Sequence, residues 1–191
     1  RNLLLSRVFE SIPSAAESKL NFKEVTSGGG TRSNLFEVEL AFPAALGIDS
    51  NTLDKSRFLV KAANLPASNV TPVEVAFRGR TLRLAGDRTF ESWTITVIND
   101  TDFNVRNSFE QWMNGINQHQ ENTGLTQPSS YMADMIVEQL DKNGTTKKTY
   151  NIRGTFPTNL GAIELSYDSE NAIEEFEVEL QVQYWESDKT T

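Results

Sequence analysis

The side chains whose type and spacing invite a chemical reading are three carboxylates near the C-terminal end of the chain. Glu175, Glu177 and Glu179 stand at every second position, and Gln181 and Gln183 continue the same phase. Alternate residues of a strand share a face, so successive members of this row lie roughly 6–7 Å apart. A carboxylate pair at such a spacing suits general acid/base work, with glycoside hydrolysis as the type case. Three in a row, continued by glutamines, form a different pattern. They read as the lining of a surface rather than as an acid/base pair.

Other chemistry is sparse. His119 is the single histidine and there is no cysteine. His119 falls at the end of a predicted helix, before a polar loop, and reads as a surface residue. A transition-metal site would have to be built mostly from carboxylates, which suit harder ions. No G-x-S-x-G, P-loop or H-E-x-x-H pattern occurs. No catalytic, cofactor-binding or metal-ligating residue is therefore assigned, and the expectation is a protein that is not an enzyme. The lack of cysteine excludes disulfides and thiolate chemistry and fits a reducing compartment. Leu3 to Leu5 is too short for the apolar region of a signal peptide. Without such a signal, the Asn-x-Thr triplets at Asn69, Asn99 and Asn143 are chance matches. No run approaches the length of apolar sequence that spans a bilayer.

Charge is distributed unevenly. Residues 1–153 carry 17 basic and 17 acidic side chains, which cancel. Residues 154–188 carry nine acidic side chains and no basic one; Lys189 returns one charge, so the net −8 sits on the C-terminal strands. Such a concentrated negative field repels nucleic acid rather than binding it. The plain alternative is a solvated, solubilising strand face.

The elements that must position these residues can be read from periodicity. Residues 173–186 alternate almost without error: Phe176, Val178, Leu180, Val182 and Tyr184 on one side, the glutamates and glutamines on the other. A long apolar strand face needs a second sheet or a closed barrel to cover it. Phe36, Val38, Leu40 and Phe42 predict a half-buried strand, followed by a long polar connection over 43–57 and a strand over 58–63. Loops of that length are usually functional or contact loops. Val73, Val75 and Phe77 lead into Arg78-Gly79-Arg80, and Leu82 and Leu84 lead out, which predicts a hairpin turning at glycine. Its Arg78, Arg80, Arg83 and Arg88 outnumber Glu74 and Asp87. Two readings stand: a phosphate-binding finger, or a contact surface for acidic groups on another subunit. The second is favoured, because no aromatic is interleaved among the arginines for base stacking.

Residues 90–98 predict a strand with Trp93, Ile95 and Val97 inward. Asp102 or Asn104 can cap a helix running to about Gln118, whose Phe109, Trp112, Met113 and Ile116 form one apolar stripe. Strands are predicted over 131–140, 146–154 and 162–167, with an Asn-Gly turn after the first and a break at Phe156-Pro157-Thr158-Asn159. About eight strands and one helix, separated by turn signals, point to a mainly β sandwich or barrel. The hydrophobic fraction of 38% supports one core but leaves much of the chain solvated or at interfaces. The organisation read from this is an arm over 1–31 and a β domain over 32–191. In the arm, Leu4, Leu5, Val8, Phe9 and Ile12 follow helical spacing, Pro13 ends the helix, and Gly28-Gly29-Gly30 forms a hinge. Leu4, Leu5 and Phe9 need a cover: their own domain or, as the hinge suggests, a neighbouring subunit.

Several motifs in register resemble the tail tube proteins of contractile-tailed bacteriophages. They are Asn34-Leu35-Phe36-Glu37-Val38, Ala85-Gly86-Asp87-Arg88-Thr89-Phe90, Trp93-Thr94 with residues 97–100, Phe156-Pro157-Thr158-Asn159, Phe176-Glu177-Val178 and Tyr184-Trp185-Glu186. Arg7-Val8-Phe9-Glu10-Ser11 looks like the family's start, while the segments before Asn34 and after Phe42 are longer than the family's pattern. The resemblance implies an antiparallel β-barrel with one flanking helix and an N-terminal arm. It implies six subunits in a ring, rings stacked into the inner tube of a contractile tail, and genome DNA ejected through it. It implies a surrounding sheath protein, baseplate and terminator proteins at the ends, and a tape measure protein and then DNA in the lumen, with no membrane partner. The location implied is the virion tail, with host cytoplasm during assembly. On this reading Glu175, Glu177, Glu179, Gln181 and Gln183 are expected to line the lumen, where an acidic wall lets a polyanion slide without sticking. Leu4, Leu5, Phe9, Arg78, Arg80 and Arg83 are expected at contacts between subunits or rings. The alternatives are a tube of a type VI-like or pyocin-like injection system, and a monomeric ligand-binding barrel. Trp93, Trp112 and Trp185 do not share a sequence face, which counts against the last.

Overall fold

The computed structural model describes residues 32–48, 50–168 and 172–190. The predicted arm, with Leu4, Leu5, Phe9 and the glycine hinge, lies outside the described residues. Contacts group the chain into Arg1–Ser33 and Asn34–Thr191, and the second unit holds all the elements below.

Nine strands are formed among the described residues: β1 Phe36–Glu39, β2 Val60–Ala63, β3 Ser68–Phe77, β4 Arg80–Phe90, β5 Trp93–Ile98, β6 Ala133–Leu140, β7 Thr146–Leu160, β8 Glu175–Gln181 and β9 Tyr184–Ser187. Helix α1 is Ser50–Leu59, α2 is Asn104–Ile116 and α3 is the single turn Pro128–Tyr131. Seven strands make one antiparallel sheet in the order β1-β6-β7-β8-β5-β2, with β9 beside β7. The sheet curls until its end strands β1 and β2 touch, and α1 contacts both across that seam. The result is an antiparallel barrel. β3 and β4 pair only with each other, as a separate two-stranded sheet.

The core follows from alternation. Trp93, Ile95 and Val97 of β5 are fully buried and face Leu180, Val178 and Phe176 of β8 across the ladder. Each such side chain contributes about 1.5–3 kcal/mol by leaving water. Met135, Val137 and Ile152 extend the layer. Helix α2 closes it with Val105, Phe109 and Trp112, all fully buried. Phe42 meets Phe109 and Trp112 edge-on at 5.2 and 5.6 Å between centroids. The Trp112 indole N–H donates to the Tyr131 carbonyl at 2.7 Å, which satisfies its one polar atom inside the core.

Five local expectations are corrected. The connection over 43–57 is not a polar loop: it holds a 3-10 turn at Ala44–Leu46 and then α1, which also absorbs Phe58 and Leu59 from the predicted strand. The helix presents Thr52 and Ser56 to the interior. A polar buried face gives no hydrophobic period, so the helix is hidden from that signal. The barrel therefore has more than the one flanking helix expected.

Residues 162–167 form no strand. Ile163, Leu165 and Tyr167 alternate, but both edges of β8 are already taken by β5 and β7. The last rung is Gly161 N–H to the Glu177 carbonyl at 2.7 Å. Phe156-Pro157-Thr158-Asn159 does not end β7: the strand runs to Leu160, with a register shift between Pro157 and Asn159 that absorbs the missing proline N–H.

The C-terminal strand is broken after Gln181, and β9 leaves β8 to pair with the first half of β7. Tyr184 is consequently half exposed and not part of the inward row. Helix α2 has no side-chain N-cap: Phe103 holds that position at φ 55°, and Asp102 is drawn instead to Lys55 at 3.3 Å.

Candidate functional site

Opposite the core, β8 turns a polar face outward. Phe176, Val178 and Leu180 are buried while Glu177 between them is exposed and Glu175, Glu179 and Gln181 are half-buried. The face continues laterally onto β5, where Thr96 pairs with Glu177 and Thr94 with Glu179. On the other side, Asn159 of β7 pairs with Glu179. Four of the five residues expected in this row, Glu175, Glu177, Glu179 and Gln181, are thus brought onto one surface. Gln183 is not in line with them. It sits exposed in the break before β9, where its N–H donates to the Arg153 carbonyl at 3.2 Å.

The electrostatics of this face are less uniform than its sequence. Lys61 of β2 donates to both oxygens of Glu175, at 2.6 and 2.9 Å. The Ser92 hydroxyl donates to Glu179 Oε1 at 2.7 Å. Glu177 has no cation within ion-pairing distance among the described residues. Lys61 and Ser92 are the residues sequence reading missed. Neither carries a local signal, because each meets its partner across a long stretch of chain.

The remaining acids of the C-terminal strands are also partly answered. Arg153 donates Nε to Glu186 and Nη1 to Asp134, both at 2.8 Å, and these two carboxylates raise its pKa above the ordinary arginine value. Asp134 also accepts from the Gly154 N–H at 2.9 Å. The network pins the junction where β7 bends at Gly154, φ 61°, and where β9 begins.

The second feature is the β3–β4 hairpin. Arg78 and Gly79 both have positive φ, 47° and 79°, as a two-residue type I′ turn requires. One face carries Val73, Val75, Phe77, Leu82 and Leu84, in the pairs Val73–Leu84 and Val75–Leu82. All five are exposed. Arg80 opposes Phe77 at the tip, and the Arg78 guanidinium lies 5.3 Å from the Phe77 ring centroid. On the reverse face Arg83 Nε donates to Glu74 at 3.0 Å. The base is fixed by Phe90 against Trp185, edge-on at 6.2 Å. A bulge between Val70 and Pro72 bends the hairpin, and Gly86 sits there with no room for a side chain: a Cβ would lie 2.4 Å from the Thr71 carbonyl oxygen. So the predicted arginines are present, but on an apolar blade with Arg83 already paired. That suits a protein contact better than a phosphate finger.

Among the described residues no group of three or more His, Cys, Asp or Glu could hold a metal ion. His119 lies in an exposed loop where its backbone N–H donates to Asn114. No helix of the described residues is long and apolar enough to cross a membrane.

A barrel with an open polar strand face and a projecting two-stranded blade defines a class by its fold: a mainly β protein with one closed antiparallel sheet. The family described as phage tail tube protein matches residues 31–188, and the chain belongs to that family. It is 40% identical over 162 residues to the tail tube protein gp19 of Enterobacteria phage T4, covering 84% of this chain and 93% of that one. It is 32% identical to a tail tube protein of Serratia phage KSP90, covering 80% and 86%. In fold it resembles the tube-terminating cap of the anti-feeding prophage, TM-score 0.59 at 16% identity, covering 85% of this chain and 92% of that one. It also resembles the sheath/tube terminator of an extracellular contractile injection system, TM-score 0.58 at 15% identity, covering 83% and 96%. The chain is a tail tube protein of the contractile-tail type, a structural component of the virion tail.

Proposed function

We propose that six copies of this chain close into a ring and that rings stack into the inner tube of a contractile tail. The role is mechanical rather than catalytic. The polar face of β8 and β5, with Glu175, Glu177, Glu179 and Gln181, lines the lumen. A tape measure protein occupies that lumen first and genome DNA later. The observation that carries the reading is the two-faced strand β8: one side completes a core, while the other stays open and bears carboxylates. A polyanion in contact with carboxylates finds no counterion to release and so slides without sticking. Pairing of free strand edges between copies removes edges that would otherwise aggregate. Sheath protein surrounds the tube, and baseplate and terminator proteins hold its ends. Assembly takes place in the host cytoplasm. The N-terminal arm with Leu4, Leu5 and Phe9, and the hairpin with Arg78, Arg80 and Arg83, make contacts between copies.

Negative-stain electron microscopy of the purified protein, with light scattering for mass, tests this. Hollow tubes or six-fold rings are expected. A protein that stays monomeric even with a cognate baseplate added overturns the reading and leaves the monomeric barrel.

A further inference from the structure

Two exposed patches of this chain have matching chemistry. The first is the hairpin blade, with Val73, Val75, Phe77, Leu82 and Leu84 open to solvent and Arg78 and Arg80 at its tip. The second is the connection between β7 and β8. There Leu165 is 84%, Tyr167 fully and Ile173 69% exposed, interspersed with Glu164, Asp168 and Glu174. Beside them is an open hollow of about 570 Å³ whose walls include Glu164, Leu165, Ile173 and Glu174. One patch is apolar with a basic tip, the other apolar with an acidic rim. Neither large apolar surface is stable alone in water. A two-stranded hairpin with no cover is itself marginal.

We propose that the hairpin of one copy docks against residues 162–168 and 172–174 of a second copy. The proposal rests on the tube reading for the existence of a second copy, and it names the surface that copy offers. Val75, Leu82 and Leu84 cover Leu165 and Ile173, and the tip arginines face Glu164 and Asp168. The two patches differ, so the contact is heterologous. Each copy then gives a blade to one neighbour and takes a blade from another, which propagates until a ring or a stack is complete. The same contact accounts for Leu165 and Tyr167 of the alternating segment 162–167, which find no strand partner among the described residues and stay exposed, while Ile163 packs on its own core. The opposite charges bring the surfaces together in register, while the apolar area supplies the affinity.

The absence of cysteine makes the test direct. Leu82→Cys protein is mixed with Leu165→Cys protein and treated with a short bismaleimide. A control mixture pairs Leu82→Cys with Glu121→Cys, in an exposed loop that follows α2. All three positions are exposed, so the barrel keeps its fold. A covalent dimer is expected in the first mixture and only background in the control. The double variant Leu82→Cys/Leu165→Cys is expected to give a ladder of oligomers. The same samples are imaged with a cognate baseplate added. Tubes without a dimer above control overturn the contact and leave the tube reading standing. A ladder without tubes or rings supports the contact and removes the tube reading. Neither a ladder nor tubes overturns both.

Discussion

Lys61 and Glu175 stand 114 residues apart in the chain, yet the ammonium of one lies 2.6 Å from the carboxylate of the other. The pair joins the end strand β2 to β8 across β5, over the Ile98–Glu175 rung of the ladder. It also decides how acidic the open face is. Of the three glutamates in the row, Glu175 is neutralised, Glu179 is hydrogen-bonded by a neutral hydroxyl, and Glu177 keeps its full field.

Lys61→Met should therefore change the charge of the face much more than the stability of the fold. Both partners are partly exposed, and such pairs are worth about 0–1 kcal/mol. The urea midpoint should move little. The electrophoretic mobility of assembled tubes should become more anionic if the inner surface contributes to it through open ends. The potential in a reconstruction of the lumen should become more negative at the ring of Glu175 if the face lines it.

The two sides of β8 should respond oppositely to truncation. Leu180→Ala removes a fully buried side chain facing Trp93, at a cost of about 2–5 kcal/mol. Glu177→Ala, on the exposed side of the same strand, should stay within about 0.5 kcal/mol of wild type. Chemical denaturation of the two variants checks this, and equal losses would mean that the strand faces are assigned wrongly.

Gly86→Ala should separate assembly from folding. Its Cβ would meet backbone at Thr71, which cannot swing aside as a side chain can. The bulge must then open and the hairpin change direction. The hairpin pairs with no strand of the barrel, so the melting temperature should change little while tube formation falls. Microscopy beside thermal melting of the same preparation reads both.

Gly154→Ala should act through the barrel itself. The position has φ 61° and an added Cβ would lie 2.7 Å from Gln183 Cγ. An alanine in that conformation costs about 1–2 kcal/mol before any clash. Adding Gln183→Ala should recover the steric part of the loss and leave the conformational part, as a double-mutant cycle in urea would measure.

Asp141 gives a pH dependence with a defined sign. The backbone N–H of Lys142, and then Lys147, hold its carboxyl below the ordinary aspartate value. A lowered folded pKa stabilises the fold above the ordinary value, and the contribution is lost as pH falls through the lowered one. The side chain is partly open to solvent, so the effect is small. Between about pH 4 and pH 2 the stability of Asp141→Asn should fall less steeply than that of wild type. A parallel slope would show that the turn contributes nothing.

Several elements were legible because one face of each had to meet the core. The periods of β5, β8 and α2 are the periods of their burial, so Trp93, Ile95, Val97, Phe109, Trp112, Phe176, Val178 and Leu180 could be placed before any coordinates. Helix α1 was not legible, since its inward Thr52 and Ser56 carry no hydrophobic signal. The break between β8 and β9 was hidden as well. Tyr184 keeps the phase of Val182, and only the ladder of β9 on β7, reinforced by the Arg153–Glu186 bond, shows that the chain has changed neighbours.

For the candidate surfaces the division is similar. Local order determined that Glu175, Glu177 and Glu179 share a face and that the hairpin turns at Gly79, since the strand period and turn chemistry act between near neighbours along the chain. Which strand takes each edge, which acids are answered, and which apolar rows find no partner were decided by the tertiary structure. Lys61 reaches Glu175, Ser92 reaches Glu179, and Leu165 with Tyr167 stays uncovered because a sheet has only two edges per strand and β8 had filled both. Such outcomes depend on contacts between distant segments, and no window along the chain contains both partners.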